Sequence, residues 1–228
     1  MTVLAVGAHP DDIELGCGGA LLAHRQAGEA VWMLVLTTGT AAGSGAIRRN
    51  EQQVVARRLG AELLWGEFTD GEIPSGKQTI QVIDDAIALS GASVLYTHAE
   101  HDAHQDHRVV AQASLSAGRN LATIFGYETP STSAFMPTTF VSIAELVSAK
   151  VELIAAHRSQ VNRGARVDLE VVTAQARVRG HHGRLTLAEG FETYRAVFTP
   201  GAAINVHSGH RHATAAVGLD TMAITDRS

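Results

Sequence analysis

Short apolar runs alternate with longer, helix-compatible segments through the first half of the chain. Val3 to Gly7 is the first run; a polar turn follows, then Leu15 to Gly28, whose Ala and Leu content suits a helix. The alternation repeats with Val31 to Thr37 as a strand, Ile47 to Leu59 as a helix closed by Gly60, and Ala61 to Trp65 as a strand. A polar loop holding Asp70-Gly71 and Pro74-Ser75-Gly76 leads to a helix near Thr79 to Leu89 and a strand over Ser93 to Thr97. A helix over about His107 to Gly118 and a strand over Leu121 to Gly126 complete the series. Strands separated in this way by helices predict a five-stranded parallel core through Tyr127, doubly wound and Rossmann-like, with right-handed connections. The fold class is α/β, mostly parallel, in a single domain.

Past Tyr127 the pattern weakens. Thr138 to Ile143 reads as an added strand, Glu145 to His157 and Leu169 to Gly180 as helices, and Ala188 to Phe198 as an irregular helix followed by a strand. Beyond Pro200 the sequence has weak periodicity and few large apolar residues. The domain is therefore set at residues 1–199, and an irregular extension over 200–228 is expected to be weakly structured.

A length of 228 residues suits one domain with a real core, and 45% hydrophobic with 18% charged residues is a globular composition. No apolar run approaches the roughly 20 residues that cross a bilayer, so no membrane partner is expected. Val3-Leu4-Ala5-Val6 follows no basic segment and runs straight into His9-Pro10-Asp11-Asp12, which reads as a strand rather than a signal peptide. The single cysteine, Cys17, allows no internal disulfide, and the expected compartment is the cytoplasm. A net charge of -5 with scattered Lys and Arg argues against nucleic acid. Nothing in the pattern fixes the oligomeric state, and a homo-oligomer stays open.

Twelve histidines are the unusual feature of the composition, and their placement carries the chemistry. Ala8-His9-Pro10-Asp11-Asp12 stands just past the first strand; His98, His101, Asp102, His104, Asp106 and His107 stand just past the fourth. Ligands of open α/β sheets bind at the carboxyl ends of the strands, and strands one and four flank the usual switch point. Two imidazoles and one carboxylate, with one position open to water, are a recurrent set for catalytic zinc. His104 and His107 are three apart and share a helical face, so both reach one cavity. Asp11 and Asp12 are adjacent and diverge, so one can bind metal while the other faces the water. His24, His157, His181 and His182 lie outside these clusters and read as solvated surface residues.

The segments AHPDDIELGCGG, IRRNE and HQDH resemble the LmbE-like or PIG-L-type zinc N-deacetylases, over about Val3 to His107. The likeness continues more loosely through Lys150, His157-Arg158-Ser159-Gln160 and Ala188-Glu189-Gly190-Phe191. The resemblance implies a Zn²⁺ cofactor bound by His9, Asp12 and His107, with Asp11 as general base. It implies His104 as the imidazolium beside the oxyanion, Asp106 as the group that orients His104, and Arg48 as a contact to a small N-acetylated substrate such as an amino sugar. From its position alone Arg48 reads equally well as a helix-surface cation. Gln105 stands where many members have proline, and Asp102 where some carry a mobile tyrosine. His98 and His101 have no role in the resemblance and are taken as site-lining at most.

Three other readings compete. Gly16-Cys17-Gly18-Gly19 does not fit the dinucleotide fingerprint, no acidic residue ends the second strand, and the glycines more simply allow close packing of the first helix. A two-metal phosphoesterase would use His101, Asp102 and Asp106 as further ligands. A noncatalytic metal or sugar-binding module would have no use for a base and an oxyanion group. The tail segment His207 to His212 reads as flexible and polar.

Overall fold

The computed structural model describes residues 1–161 and 167–197, so the expected tail over 200–228 lies outside the described residues. The first five strands are β1 (Thr2–Gly7), β2 (Ala30–Thr37), β3 (Glu62–Phe68), β4 (Val94–His98) and β5 (Thr123–Tyr127). Between them run α1 (Asp12–Gln26), α2 (Gly45–Leu59), α3 (Lys77–Ser90) and α4 (Gln105–Ala117). The second half supplies β6 (Thr139–Ser142), α5 (Val147–Ala155), α6 (Arg158–Val161), α7 (Leu169–His182) and β7 (Ala188–Arg195). All seven strands form one sheet in the order β3-β2-β1-β4-β5-β7-β6. The pairs among β1 to β5 are parallel, whereas β7 lies antiparallel between β5 and β6.

Alternation along each strand divides the core between the two faces of the sheet. Val3 and Ala5 of β1 join Val31, Met33 and Val35 of β2 under α1, α2 and α5; Leu4, Val6, Leu34 and Leu36 face α3 and α4. Both faces being covered explains why these strands read as continuous apolar runs. The chain winds outward from β1 to β3 and then returns to place β4 beside β1, with Val3 opposite Val94 and Ala5 opposite Tyr96. That reversal opens a crevice between the carboxyl ends of β1 and β4.

The sequence reading needs correction at three places. Ala188 to Arg195 is a strand throughout, with no irregular helix before it. The helix expected over Glu145 to His157 is shorter, α5, with α6 as a separate turn after it. α1 begins at Asp12 rather than Leu15, so the polar motif is itself the first helical turn.

α1 is in effect two helices. Cys17 leaves helical geometry, with φ −140° and ψ 15°, and the broken backbone is satisfied from far along the chain. Lys150 Nζ donates to the Leu15 carbonyl at 2.8 Å, while the Glu189 carboxylate accepts the amides of Gly19 at 2.8 Å and Ala20 at 2.7 Å. Glu189 thus caps the second half-helix from a strand and is itself paired with Lys150 at 2.6 Å. Glycine is required where α1 meets the sheet: a Cβ on Gly16 would lie 2.0 Å from the Tyr127 ring.

Candidate metal centre and active site

His9, Asp11 and Asp12 come from the β1–α1 junction; His104, Asp106 and His107 come from the head of α4. Together with Arg48 of α2 they meet at the crevice, where His9, Asp11, Asp12, Arg48, His104 and His107 line a cleft of about 270 Å³. His9 Nδ1 is 3.3 Å from Asp12 Oδ2, and the His9 amide donates to the same oxygen at 2.7 Å. His107 Nε2 lies 3.3 Å from His9 Nδ1 and 3.4 Å from Asp12 Oδ1. The described residues hold three groupings with metal-ligand spacing: His9/His104/His107, Asp12/His98/His107 and His9/Asp70/Asp106. All share residues of this one cleft, which is a His/Asp cluster suited to a metal ion.

The far nitrogens of the two central imidazoles are tied to carboxylates. His9 Nε2 is 3.0 Å from Asp70 and 3.2 Å from Asp106, and His107 Nδ1 is 3.1 Å from Asp102. Such outer contacts fix which nitrogen faces the metal. Asp102 is held in turn by the hydroxyls of Thr129 and Thr132, each at 3.0 Å, and by the His104 amide at 2.8 Å. Burial alone would lower the pKa of His9, but its bonds to Asp106, Asp12 and Asp70 override this and push it up to about 12. The same contest, decided by Asp12 and Asp102, raises His107 to about 9. Burial would raise Asp12, yet His107 and His98 hold it well below the ordinary carboxylate range. The two histidine shifts share one cause, the carboxylates of Asp12, Asp70, Asp102 and Asp106 gathered around the rings.

Asp11 has the most constrained setting. Its φ of 96° is a left-handed conformation, uncommon outside glycine and best tolerated by Asn and Asp. Its amide donates to Gln52 Oε1 at 3.2 Å, and Arg48 Nη2 donates to its carboxylate at 3.3 Å. Burial, then the charge of Asp12, raises its pKa to about 7. Arg48 is no helix-surface cation, being 3% exposed. It also donates to the carbonyls of Gly39 at 2.9 Å and Pro10 at 2.6 Å, locking the loop that carries Asp11.

His104 is the least buried of the three cleft imidazoles, 4.7 Å from the His9 ring and 4.6 Å from that of His107. Burial, then the charges of His9 and His107, lowers its pKa. The expected link from Asp106 is different in kind. The Asp106 carboxylate goes to His9 and to the Gly71 amide at 2.8 Å, and it is the Asp106 backbone amide that donates to His104 Nδ1 at 3.2 Å.

Four residues around the cleft were not read from the sequence. Asp70 stands near the start of the loop after β3, at the same sheet edge as the histidine motifs, and that position was the available signal. Gln52 follows Arg48 by one helical turn and bridges the Asp11 amide to Glu14, its Nε2 donating at 2.6 Å. His157, read as a surface residue, is fully buried with its Nε2 3.3 Å from Glu14, because α6 folds back against α2. Glu51 fixes that return, accepting from the Ser159 amide at 2.8 Å and its hydroxyl at 2.6 Å. His98 is buried, stacked 4.0 Å from His107, and accepts the Ala8 amide at 3.1 Å. Burial, then the nearby His107, lowers it to about 4, so it stays neutral. His24, also read as a surface residue, is partly buried and bonds Tyr96 at 3.0 Å.

Fold and cluster together define an α/β protein with a His/Asp metal-binding centre at the switch point of its sheet. Residues 4–118 match the PIG-L family, described as GlcNAc-PI de-N-acetylase. The Escherichia coli (strain K12) protein described as uncharacterized deacetylase YaiS is 38% identical over 167 residues, 69% of this chain and 90% of its own. The chain belongs to the PIG-L, or LmbE-like, family of deacetylases. Conserved protein TT1542 from Thermus thermophilus shares its fold with a TM-score of 0.79 at 25% identity, covering 88% of this chain and 98% of the other. N,N'-diacetylchitobiose deacetylase from Pyrococcus horikoshii, at 21% identity and a TM-score of 0.76, shares the fold over 88% of this chain and 87% of its own. No described helix is long and apolar enough to cross a membrane.

Proposed function

We propose that this deacetylase is zinc-dependent and removes the acetyl group from the nitrogen of an amino sugar, or of a small molecule containing one. The observation that carries the metal assignment is the convergence of three residues: His9 Nδ1 lies 3.3 Å from His107 Nε2 and 3.3 Å from Asp12 Oδ2, and Asp12 Oδ1 lies 3.4 Å from His107 Nε2. Tetrahedral zinc with bonds of about 2.0–2.1 Å separates its ligand atoms by about 3.3–3.4 Å. His98 is left out of the set, because its nitrogen nearest Asp12 already accepts the Ala8 amide. His9 Nε2 faces Asp70 and Asp106 as an outer contact, which favours one ion over two. Zinc held there would supply a water acidic enough to lose a proton near neutral pH.

The remaining roles fall to the protein's own groups. Asp11, pinned by Arg48 and Gln52, takes the proton of the attacking water and hands it to the departing nitrogen. Its raised pKa, near neutrality, suits a group that must both accept and donate. As ligands, His9 and His107 would be neutral. The Asp106 amide donates to His104 Nδ1, which leaves the His104 Nε2–H as the group that donates to the acetamide oxygen as it becomes negative. Arg48 stands at the substrate-facing wall beside the base. The amino-sugar substrate is supported by the family description and by the chitobiose deacetylase that shares the fold. The one cysteine, buried and unpaired, fits a cytoplasmic setting.

Purified protein should hold about one zinc per chain and release acetate from N-acetylglucosamine derivatives, with turnover lost to a chelator and restored by zinc. Full activity in metal-depleted protein would sink the reading. Two ions per chain with phosphoester cleavage would replace it.

A further inference from the structure

His98 closes β4 and is fully buried against the metal cleft, yet no role has fallen to it. Its ring lies 4.0 Å from the ring of His107 and within 17° of parallel, so it forms a plate behind that ligand. The plate is itself backed: the Tyr127 ring stands 4.8 Å from it, fixed by the hydroxyl that donates to the Val6 carbonyl at 2.7 Å. One edge of the same imidazole reaches past the end of β1. His98 Nε2 accepts the Ala8 amide at 3.1 Å, while the Ala8 carbonyl accepts from the Thr37 amide at 2.9 Å and its hydroxyl at 3.0 Å. The two peptide groups flanking Ala8, from which His9 projects, are therefore clamped from β4 on one side and from β2 on the other.

The place of the ring proton follows from these contacts. A backbone amide can only donate, so Nε2 is bare and the proton sits on Nδ1. Nδ1 is buried with no partner among the described residues. Nε2 also stands 3.3 Å from Asp12 Oδ2 and, being bare, has no proton to share with that carboxylate. A buried N–H without a partner is unfavourable, and a phenyl ring would fill the same space without one. An imidazole kept here against stability, in contact with both ligand-bearing segments, answers a functional demand.

We infer that His98 is a positioning residue of the metal centre that serves two ligands at once. Its face sets the ring plane of His107, and its bare nitrogen sets the backbone from which His9 projects, without drawing charge from Asp12. The inference rests on the zinc reading above and extends it to a residue placed outside the ligand set.

Two substitutions separate the two arms. His98→Phe keeps a plate and loses the acceptor; His98→Gln brings an amide oxygen near the Nε2 position and loses the plate. Each should bind zinc about 10–100-fold more weakly than the wild type in competition with a chromophoric chelator, the range for loss of an outer contact to a metal ligand. With Co²⁺ in place of zinc, the visible bands, which report donor geometry, should shift in both variants and differ between them. Thr97→Val is the control. It removes a buried bond of 2.9 Å to the Ser114 hydroxyl from the neighbouring residue of β4, and should lower thermal stability while leaving zinc affinity and cobalt bands at wild-type values. Either His98 variant suffices if the other does not fold, since each removes one arm. Folded variants with wild-type zinc affinity and cobalt bands, whatever their stability, would reduce His98 to core packing and overturn the inference. Loss of affinity in Thr97→Val equal to that in the His98 variants would overturn it as well. Wild-type protein that binds no zinc would overturn the zinc reading itself, and the role of His98 with it.

Discussion

Two neighbouring aspartates with the same side chain are driven to different chemistry by their surroundings. Asp12 faces three imidazoles and is held ionised, whereas Asp11 faces Arg48 and the buried Gln52 with its pKa raised by burial and by Asp12 itself. If Asp12 is a ligand, Asp12→Ala should strip zinc, since two imidazoles alone retain neither the charge nor the geometry of the site. Asp11→Asn keeps the shape and the contact to Arg48 but cannot take a proton. Zinc should stay near one per chain while kcat falls by about 10²–10⁴, the range for loss of a general base. Metal analysis and single-turnover kinetics on both variants decide this; metal lost from Asp11→Asn and kept in Asp12→Ala would reverse the two roles. That the pair was special could be read from its place after β1. Which member does what could not, because the answer depends on Arg48 and Gln52, which lie on α2 rather than beside the pair.

Among the elements, α1 carries the tightest constraint. Its polar first turn forms the floor of the cleft, and its glycines let it approach β5 closely enough for Tyr127 to reach across and donate to the Val6 carbonyl at 2.7 Å. Gly16→Ala forces a methyl into the Tyr127 ring, and overpacking of this kind costs about 1–3 kcal/mol. Denaturant melts should register that loss, whereas Gly28→Ala, where no atom lies within 4 Å of the new Cβ, should lose stability only through its positive φ. β1, β2 and β4 were legible because burial on both faces writes a nearly unbroken apolar run. β7 was legible only in its later part, since its buried start includes Glu189, and a polar residue paired with Lys150 inside the core breaks the apolar signal. His157 misled for a related reason: its partner Glu14 is far away in sequence, so nothing local marks it as buried.

For the molecule as a whole, the site is made by the first half of the chain but braced by the second. The family match ends at residue 118, yet Ser159, His157, Lys150 and Glu189 reach back to Glu51, Glu14, Leu15 and the α1 amides. The Glu189 cap has a consequence for the order in which the chain folds. Gly19 and Ala20 are early in the sequence, but their amides find their acceptor 170 and 169 residues later. Contacts of such separation form late, after long loop closure. The rear half of α1 is therefore expected to stay open to solvent exchange during folding until β7 docks, a prediction for pulse-labelling exchange during refolding. Glu189→Ala should uncouple the two in the native state, with exchange at Gly19 and Ala20 faster by about 10²-fold or more while amides of β1 and β4 keep their protection relative to global unfolding. Unchanged protection at those two amides would mean that the half-helix closes without its distant cap. A nascent chain that has emerged only as far as β5 would, on this account, hold an almost complete sheet around an unfinished helix, its commitment to the native state deferred until the last strand arrives.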